Sequence, residues 1–188
     1  MMVKVCGITR REDAEAAVAA GASAIGFVFY PKSPRHVEPE RAAALGEGLD
    51  VWKVGVFVDE TAASVEAVMR SAKLDVAQIY GGEVPRAGRV WLAFRVKDGI
   101  TVEGSAEAVL LDGPSNGVGF DWTRAVGMAE KVIVAGGLDG SNVAEAIRVA
   151  RPWGVDASSK LESAPGIKDH EKVRQFVSAA RRAGEELR

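Results

Sequence analysis

Val3-Lys4-Val5-Cys6-Gly7-Ile8-Thr9-Arg10 carries the only cysteine of the chain, at the end of a short apolar run and directly before a glycine. In a strand, side chains alternate between faces, so Lys4 and Cys6 point the same way. If that way is the inside of a barrel, a thiol and an ammonium share a confined site at a strand's C-terminal end. Such a thiol can take a proton at neutral pH. A lone cysteine without such company is a small buried hydrophobe, so the rest of the chain decides between the two readings.

Other strand ends add polar groups. Ala108-Val109-Leu110-Leu111 runs into Asp112-Gly113, and Val132 to Ala135 runs into Gly136-Gly137. Trp153 to Val155 is followed by Asp156-Ala157-Ser158-Ser159. Asp112 is a general acid if burial keeps it protonated; an aspartate before glycine is also a common turn or helix-cap residue. Gly136-Gly137 lets backbone N–H groups approach an anion closely, and Ser158 and Ser159 add hydroxyls and amides. A plain glycine turn with a serine cap has the same residues. Ser33-Pro34-Arg35 follows the second apolar run, and an arginine there either clamps a carboxylate in a bidentate fork or is solvated. Together, a thiol, a carboxyl, an arginine and a phosphate cradle suggest proton transfer on a phosphorylated anion.

These groups need a scaffold that gathers strand ends. Short apolar runs recur at Met2 to Cys6, Ala24 to Phe29, Trp52 to Val58, Val76 to Tyr80, Val90 to Val96, Ala108 to Leu111, Val132 to Ala135 and Trp153 to Val155. Most are rich in branched aliphatics and end in Gly, Asp or Pro, as buried parallel strands do. Helical patterns separate several of them: Arg11 to Ala20 before Gly21, Pro39 to Leu45, Thr61 to Ala72, Ser141 to Ala150 and Lys168 to Ala183. The pattern predicts an α/β chain, a single (βα)8 TIM barrel spanning residues 1–188. An open doubly wound sheet is the other arrangement, but no Gly-x-Gly-x-x-Gly follows the first strand. Gly81 to Gly88 and Lys97 to Gly104 are broken by Gly and Pro, so the fourth and fifth βα connections are expected to be shortened or irregular. In such a barrel the site lies at the C-terminal face, with phosphate after the seventh and eighth strands. The four tryptophans read as packing groups, and Trp122, two residues after Phe120, is expected to seat a helix rather than bind ligand.

Composition narrows the function classes. Charged residues make up 27% and the formal net charge is -2, without a basic run, which argues against nucleic acid and anionic membranes as partners. One cysteine excludes an internal disulfide. With His36 and His170 far apart, no Cys/His metal site is expected. No signal peptide or long apolar stretch is visible, so the expected compartment is the cytoplasm. Amide residues are scarce and arginine outnumbers lysine, which fits heat adaptation and a GC-rich genome equally well.

The motifs resemble those of the phosphoribosylanthranilate isomerases of tryptophan biosynthesis over essentially the whole chain. Lys4 to Thr9 is similar to the family's first strand. Gly26-Phe27-Val28-Phe29 with Ser33-Pro34-Arg35-His36-Val37 is similar to its second, and Val54 to Val58 to its third. Leu110-Leu111-Asp112, Phe120-Asp121-Trp122, Ala135 to Leu138 and Gly154-Val155-Asp156 follow in the family's order. The resemblance implies an Amadori rearrangement of N-(5-phosphoribosyl)anthranilate to 1-(2-carboxyphenylamino)-1-deoxyribulose 5-phosphate. It assigns Cys6 as general base and Asp112 as general acid. Substrate is then held by Arg35, on the carboxylate, and by Gly136, Gly137, Asp156, Ser158 and Ser159. It implies no cofactor, a small phosphorylated substrate, and a monomer or a homodimer.

Three positions depart from the family. Gln78-Ile79-Tyr80-Gly81 has Tyr80 where a histidine is usual, Pro114 to Gly119 replaces a Gly-Gly-Thr-Gly loop, and Lys160 follows Ser158-Ser159 in place of glycine. The related isomerase of histidine biosynthesis resembles a pair of aspartates at the two catalytic strand ends, whereas Cys6 stands here. A non-catalytic phosphate-binding barrel needs the cradle but not Cys6 and Asp112 together.

Overall fold

The computed structural model describes residues 1–86, 88–96, 106–115 and 117–187. Eight strands close a barrel in sequence order, each parallel to its neighbours: β1 (Met2–Cys6), β2 (Ala24–Val28), β3 (Trp52–Val58), β4 (Val76–Tyr80), β5 (Arg89–Arg95), β6 (Ala108–Asp112), β7 (Val132–Val134) and β8 (Gly154–Ala157). All eight apolar runs are strands, with ends within two residues of those expected. Closure comes from β1 pairing with β8, Lys4 opposite Asp156.

Period-two alternation sorts each strand. One set of residues, including Val3, Val5, Ile25, Phe27, Leu92 and Leu111, faces outward into the core shared with the helices. The other set fills the barrel, with Met2, Ala24, Val54, Val76, Trp91, Ala93, Leu110 and Ile133 in contact. At the N-terminal end Trp52, Trp91 and Trp153 pack with ring centroids 5.9–6.3 Å apart, and the Arg89 guanidinium caps Trp52 at 4.0 Å. This aromatic plug closes the floor of the barrel. The inward polar residues Cys6, Gln78, Tyr80, Asp112 and Asp156 sit above it, at the strands' C-terminal ends.

Five α-helices cover the outside: α1 (Arg11–Ala19), α2 (Pro39–Gly46), α3 (Ala62–Ser71), α4 (Val143–Ala150) and α5 (His170–Glu186). Pro39 opens α2, where its missing N–H is no loss. Thr61 caps α3 through the Ser64 N–H, and Asp169 caps α5 through the N–H groups of Glu171 and Lys172. The fourth connection has no helix among its described residues, as expected. The expected irregularity at Lys97 to Gly104 lies outside the described residues.

Two differences from the sequence reading affect the site. The sixth connection also shows no α-helix among its described residues; Asp121 caps only a 3-10 turn (Trp122–Ala125), and Gly127 follows at φ 74°. Phe120, Trp122 and Met128 pack against the core in place of a helix. Lys168 does not begin the last helix. It lies in a two-stranded antiparallel hairpin, β9 (Glu162–Ala164) and β10 (Ile167–Lys168), which returns over the barrel mouth. No helix among the described residues is long and apolar enough to cross a membrane.

Candidate functional site

Lys4 and Cys6 emerge from β1 on the inside of the barrel, as alternation predicts. Lys4 is completely buried, and its Nζ lies 2.9 Å from Asp156 Oδ2. Burial works to lower the Lys4 pKa, but the Asp156 carboxylate, with Cys6 beside it, outweighs burial and holds the pKa above its ordinary value. Burial pushes the Cys6 thiol up, and the Lys4 ammonium pulls against it. Asp156 Oδ1 is buried without a protein partner and borders the cavity.

Asp112 ends β6 on the far side of the same cavity. Burial first, then the negative charge of Asp156, raise its pKa above that of an ordinary carboxyl. Arg95 and hydrogen bonds from the Tyr80 hydroxyl and the Gly113 N–H pull the other way. Tyr80 donates to Asp112 Oδ2 at 3.2 Å and accepts from Gln78 Nε2 at 3.4 Å. Burial, and then the nearby Asp112 carboxyl, push the Tyr80 phenol well above 10.0, so it remains a donor. Gln78 Oε1 is buried without a protein partner.

Arg35, on the loop after β2, is already engaged. Its Nε and Nη2 grip both oxygens of Glu162 at 2.7 and 2.6 Å. Lys168 Nζ donates to Glu162 Oε1 at 2.9 Å and to the Ser158 carbonyl at 3.2 Å. Burial opposes ionisation of Glu162, yet Arg35 and Lys168 hold its carboxyl below the usual range. This leaves Arg35 as a fixed group at the mouth, with Nη1 outside the fork.

The β7 and β8 ends form a backbone cradle. Gly136 and Gly137 have φ of 86° and 66°, a conformation that favours glycine. A side chain on Gly137 would lie 2.9 Å from the Gly117 carbonyl and the Gly119 nitrogen, so the loop after β6 can close over the pair only because both lack side chains. Asn142 Nδ2 holds the Gly137 carbonyl at 2.9 Å. Among the described residues, the N–H groups of Gly136, Gly137, Ser158 and Ser159 donate to no protein acceptor.

All eight expected site residues therefore meet at one end of the barrel. A compartment of about 110 Å³ is bordered by Cys6, Asp112, Gly136, Gly137, Ser158 and Ser159. It adjoins a larger one, about 370 Å³, walled by Val28, Tyr30, Val56 and Val58 and carrying Lys32, Arg35 and Arg95. Arg35, Val56, Tyr80, Asp112 and Ser158 border both. The arrangement offers an anion cradle at one end, an acid and a thiol facing each other in the middle, and an apolar chamber with cations at the other. No group of three or more metal-ligating side chains occurs among the described residues. Sequence reasoning did not identify Glu162, Lys168 or Arg95. Lys168 reads as the start of the last helix, Glu162 falls between the expected elements, and Arg95 sits inside an apolar run. Tyr80 was visible only as a departure from a family pattern.

Comparison with known proteins shows the family. The sequence profile of the N-(5'phosphoribosyl)anthranilate (PRA) isomerase family matches residues 3–179. The N-(5'-phosphoribosyl)anthranilate isomerase of Solibacter usitatus is 53% identical over 197 residues, covering 97% of this chain and 98% of that protein. The crystal structure of phosphoribosyl anthranilate isomerase from Thermus thermophilus is 38% identical and superposes with a TM-score of 0.88 over 100% of both chains. A crystal structure of the isomerase with reduced 1-(o-carboxyphenylamino)-1-deoxyribulose 5-phosphate is 35% identical, with a TM-score of 0.82 over 96% of this chain and 98% of that one.

Proposed function

The chain belongs to the N-(5'-phosphoribosyl)anthranilate isomerase family, and from that premise we propose how its own residues perform the rearrangement. The enzyme isomerises N-(5'-phosphoribosyl)anthranilate to 1-(2-carboxyphenylamino)-1-deoxyribulose 5-phosphate in tryptophan biosynthesis. The observation that carries the reading is the placement of Cys6 and Asp112 on one small compartment, between a backbone cradle and a cationic, apolar chamber.

The phosphate takes the four unpaired N–H groups of Gly136, Gly137, Ser158 and Ser159, and Lys160 at the cavity edge adds charge. The anthranilate ring fills the larger chamber, with its carboxylate on Arg35 Nη1. Asp156 Oδ1 accepts from a sugar hydroxyl. Asp112, whose protonated form burial favours, gives its proton to the ring oxygen as the bond from that oxygen to C1 breaks. The anthranilate nitrogen supplies the electron pair for the iminium. Cys6, in the minor thiolate form that the Lys4 ammonium favours, then removes the proton from C2, and the electron pair of that C–H bond moves toward the iminium to give an enolamine. The enolamine tautomerises to the ketone. The substrate's own nitrogen is the electron sink, so the reading needs no cofactor.

Residues 1–188 act in this reading as one catalytic domain, a cytoplasmic monomer or homodimer with a small-molecule substrate and no nucleic-acid or membrane partner. The absence of a basic run supports the last point. The test is loss of phosphoribosylanthranilate fluorescence with the purified protein. Ligand binding without turnover would replace the enzyme by a phosphate-binding barrel.

A further inference from the structure

One buried ammonium lies between two acids. Lys4 Nζ is paired with Asp156 Oδ2 at 2.9 Å, and the Cys6 thiol lies two residues on, on the same inward face of β1. The register of the barrel enforces this. Lys4 lies opposite Asp156 across the β1–β8 seam, and Cys6 lies opposite Gly26 across β1–β2. A side chain on Gly26 would come within 2.8 Å of Cys6 Sγ and 3.1 Å of Lys4 Nζ. The neighbouring strand thus leaves room for the thiol and the ammonium to meet.

A charge removed from water must be compensated by a close partner. Lys4 has two candidates, and the carboxyl is by far the stronger acid. Asp156 therefore takes the ammonium in the resting molecule and leaves the thiol as a thiol. We infer that Lys4 is a positioning residue that sets how readily Cys6 ionises, and that Asp156 opposes it by neutralising Lys4. Four further groups face Cys6. Arg35 and Lys168 are cations already tied to Glu162. Tyr80 stays protonated on β4, and Asp112 lies across the compartment on β6. Of the four, Asp112 and Tyr80 also feel the Asp156 charge, so Asp156→Asn eases the ionisation of both, and the Lys4 variant, which leaves that charge in place, is the cleaner arm. The inference rests on the reading of Cys6 as base only for its effect on turnover; ionisation of the thiol is a property of the free protein.

Because Cys6 is the only cysteine, alkylation by iodoacetamide reports on this thiol alone. The readout is the midpoint of alkylation rate against pH. Rate at one pH is less direct, since a less basic thiolate is also a weaker nucleophile. Asp156→Asn removes the competing anion, and the midpoint is expected to fall by about one pH unit or more. Lys4→Met removes the stabilising cation, and the midpoint is expected to rise by about one pH unit or more. If Lys4→Met does not fold, Lys4→Met/Asp156→Leu removes both charges together and should also raise the midpoint. Circular dichroism on each variant confirms the fold. Shifts in opposite directions for loss of the anion and loss of the cation support the inference. Unmoved midpoints, or two shifts in the same direction, overturn it. If the midpoints move as expected while the acid limb of kcat stays put, Lys4 still controls the thiol and Cys6 is not the base.

Discussion

The Tyr80 hydroxyl donates to Asp112 Oδ2 across the barrel mouth at 3.2 Å, with Gln78 Nε2 behind it at 3.4 Å. A hydrogen bond given to a carboxylate favours the ionised form, so Tyr80 partly offsets the burial that favours the protonated form of Asp112. Tyr80→Phe should therefore raise the Asp112 pKa further. If Asp112 is the acid, the alkaline limb of kcat moves to higher pH, by up to about one unit. The check is a pH–rate profile of both proteins; an alkaline limb that stays in place would show that Tyr80 does not tune the acid.

Arg35 meets Glu162 through two hydrogen bonds and keeps one nitrogen outside the fork. Arg35→Ala should raise KM far more than it lowers kcat, by the roughly 1.5–3 kcal/mol of a charge-assisted contact. Glu162→Gln keeps the hydrogen-bonding shape but weakens the grip, so a smaller KM increase is expected. On a substrate analogue without the carboxylate, wild type and Arg35→Ala should perform alike. A pure kcat loss in Arg35→Ala would remove it from carboxylate binding.

The strands and the inward face of β1 were legible because buried parallel strands announce themselves by short branched-aliphatic runs and by alternation. Cys6, Asp112, Gly136 and Ser158 were legible because a barrel turns the residue after each strand into a site residue. Contacts between distant segments were not. Lys4 and Asp156 are 152 residues apart, and only closure of the barrel pairs them. Glu162 and Arg35 are 127 apart, and the hairpin that joins them is two and three residues wide, too short to give a period. The missing sixth helix follows the same logic: Phe120-Asp121-Trp122 looks like a helix start, and only the packing of Trp122 and Met128 shows that a 3-10 turn suffices.

Asp13 links α1 to the end of the hairpin that carries Glu162 and Lys168. Its buried carboxylate accepts from Arg10 at 2.7 and 3.0 Å, from the Lys168 N–H at 3.1 Å and from His170 at 2.8 Å. Burial opposes the charge, but these hydrogen bonds together hold the pKa below the usual carboxylate value. A depressed folded pKa contributes stability above the unfolded value, near 4. That contribution is lost as pH falls through the folded pKa. Asp13→Asn should therefore cost stability at pH 7, about 1–3 kcal/mol for a buried charged hydrogen-bonding group, and the gap to wild type should narrow below about pH 4. Urea midpoints from pH 7 down to pH 3 test this. A gap that is constant with pH would mean that the carboxylate charge contributes nothing.

The proposed mechanism divides the reaction between Cys6 and Asp112, so their variants should fail differently. Ring opening comes first and needs a proton on the ring oxygen; removal of the C2 proton needs the iminium that ring opening creates. Cys6→Ala leaves Asp112 and the cradle in place, and kcat should fall by roughly 100- to 10,000-fold with the fold intact. Asp112→Asn keeps the size and the hydrogen bond from Tyr80 but has no proton to give. Turnover should collapse while a reduced product analogue still binds, because phosphate and carboxylate are held by other groups. Burial already favours the protonated carboxyl, so the asparagine brings no new desolvation cost, and the melting temperature should hold or rise slightly. Turnover, analogue affinity and melting temperature on one preparation separate the possibilities. Normal turnover in Asp112→Asn, or a loss of binding as large as the loss of turnover, would make Asp112 a binding residue and require another acid at the barrel mouth.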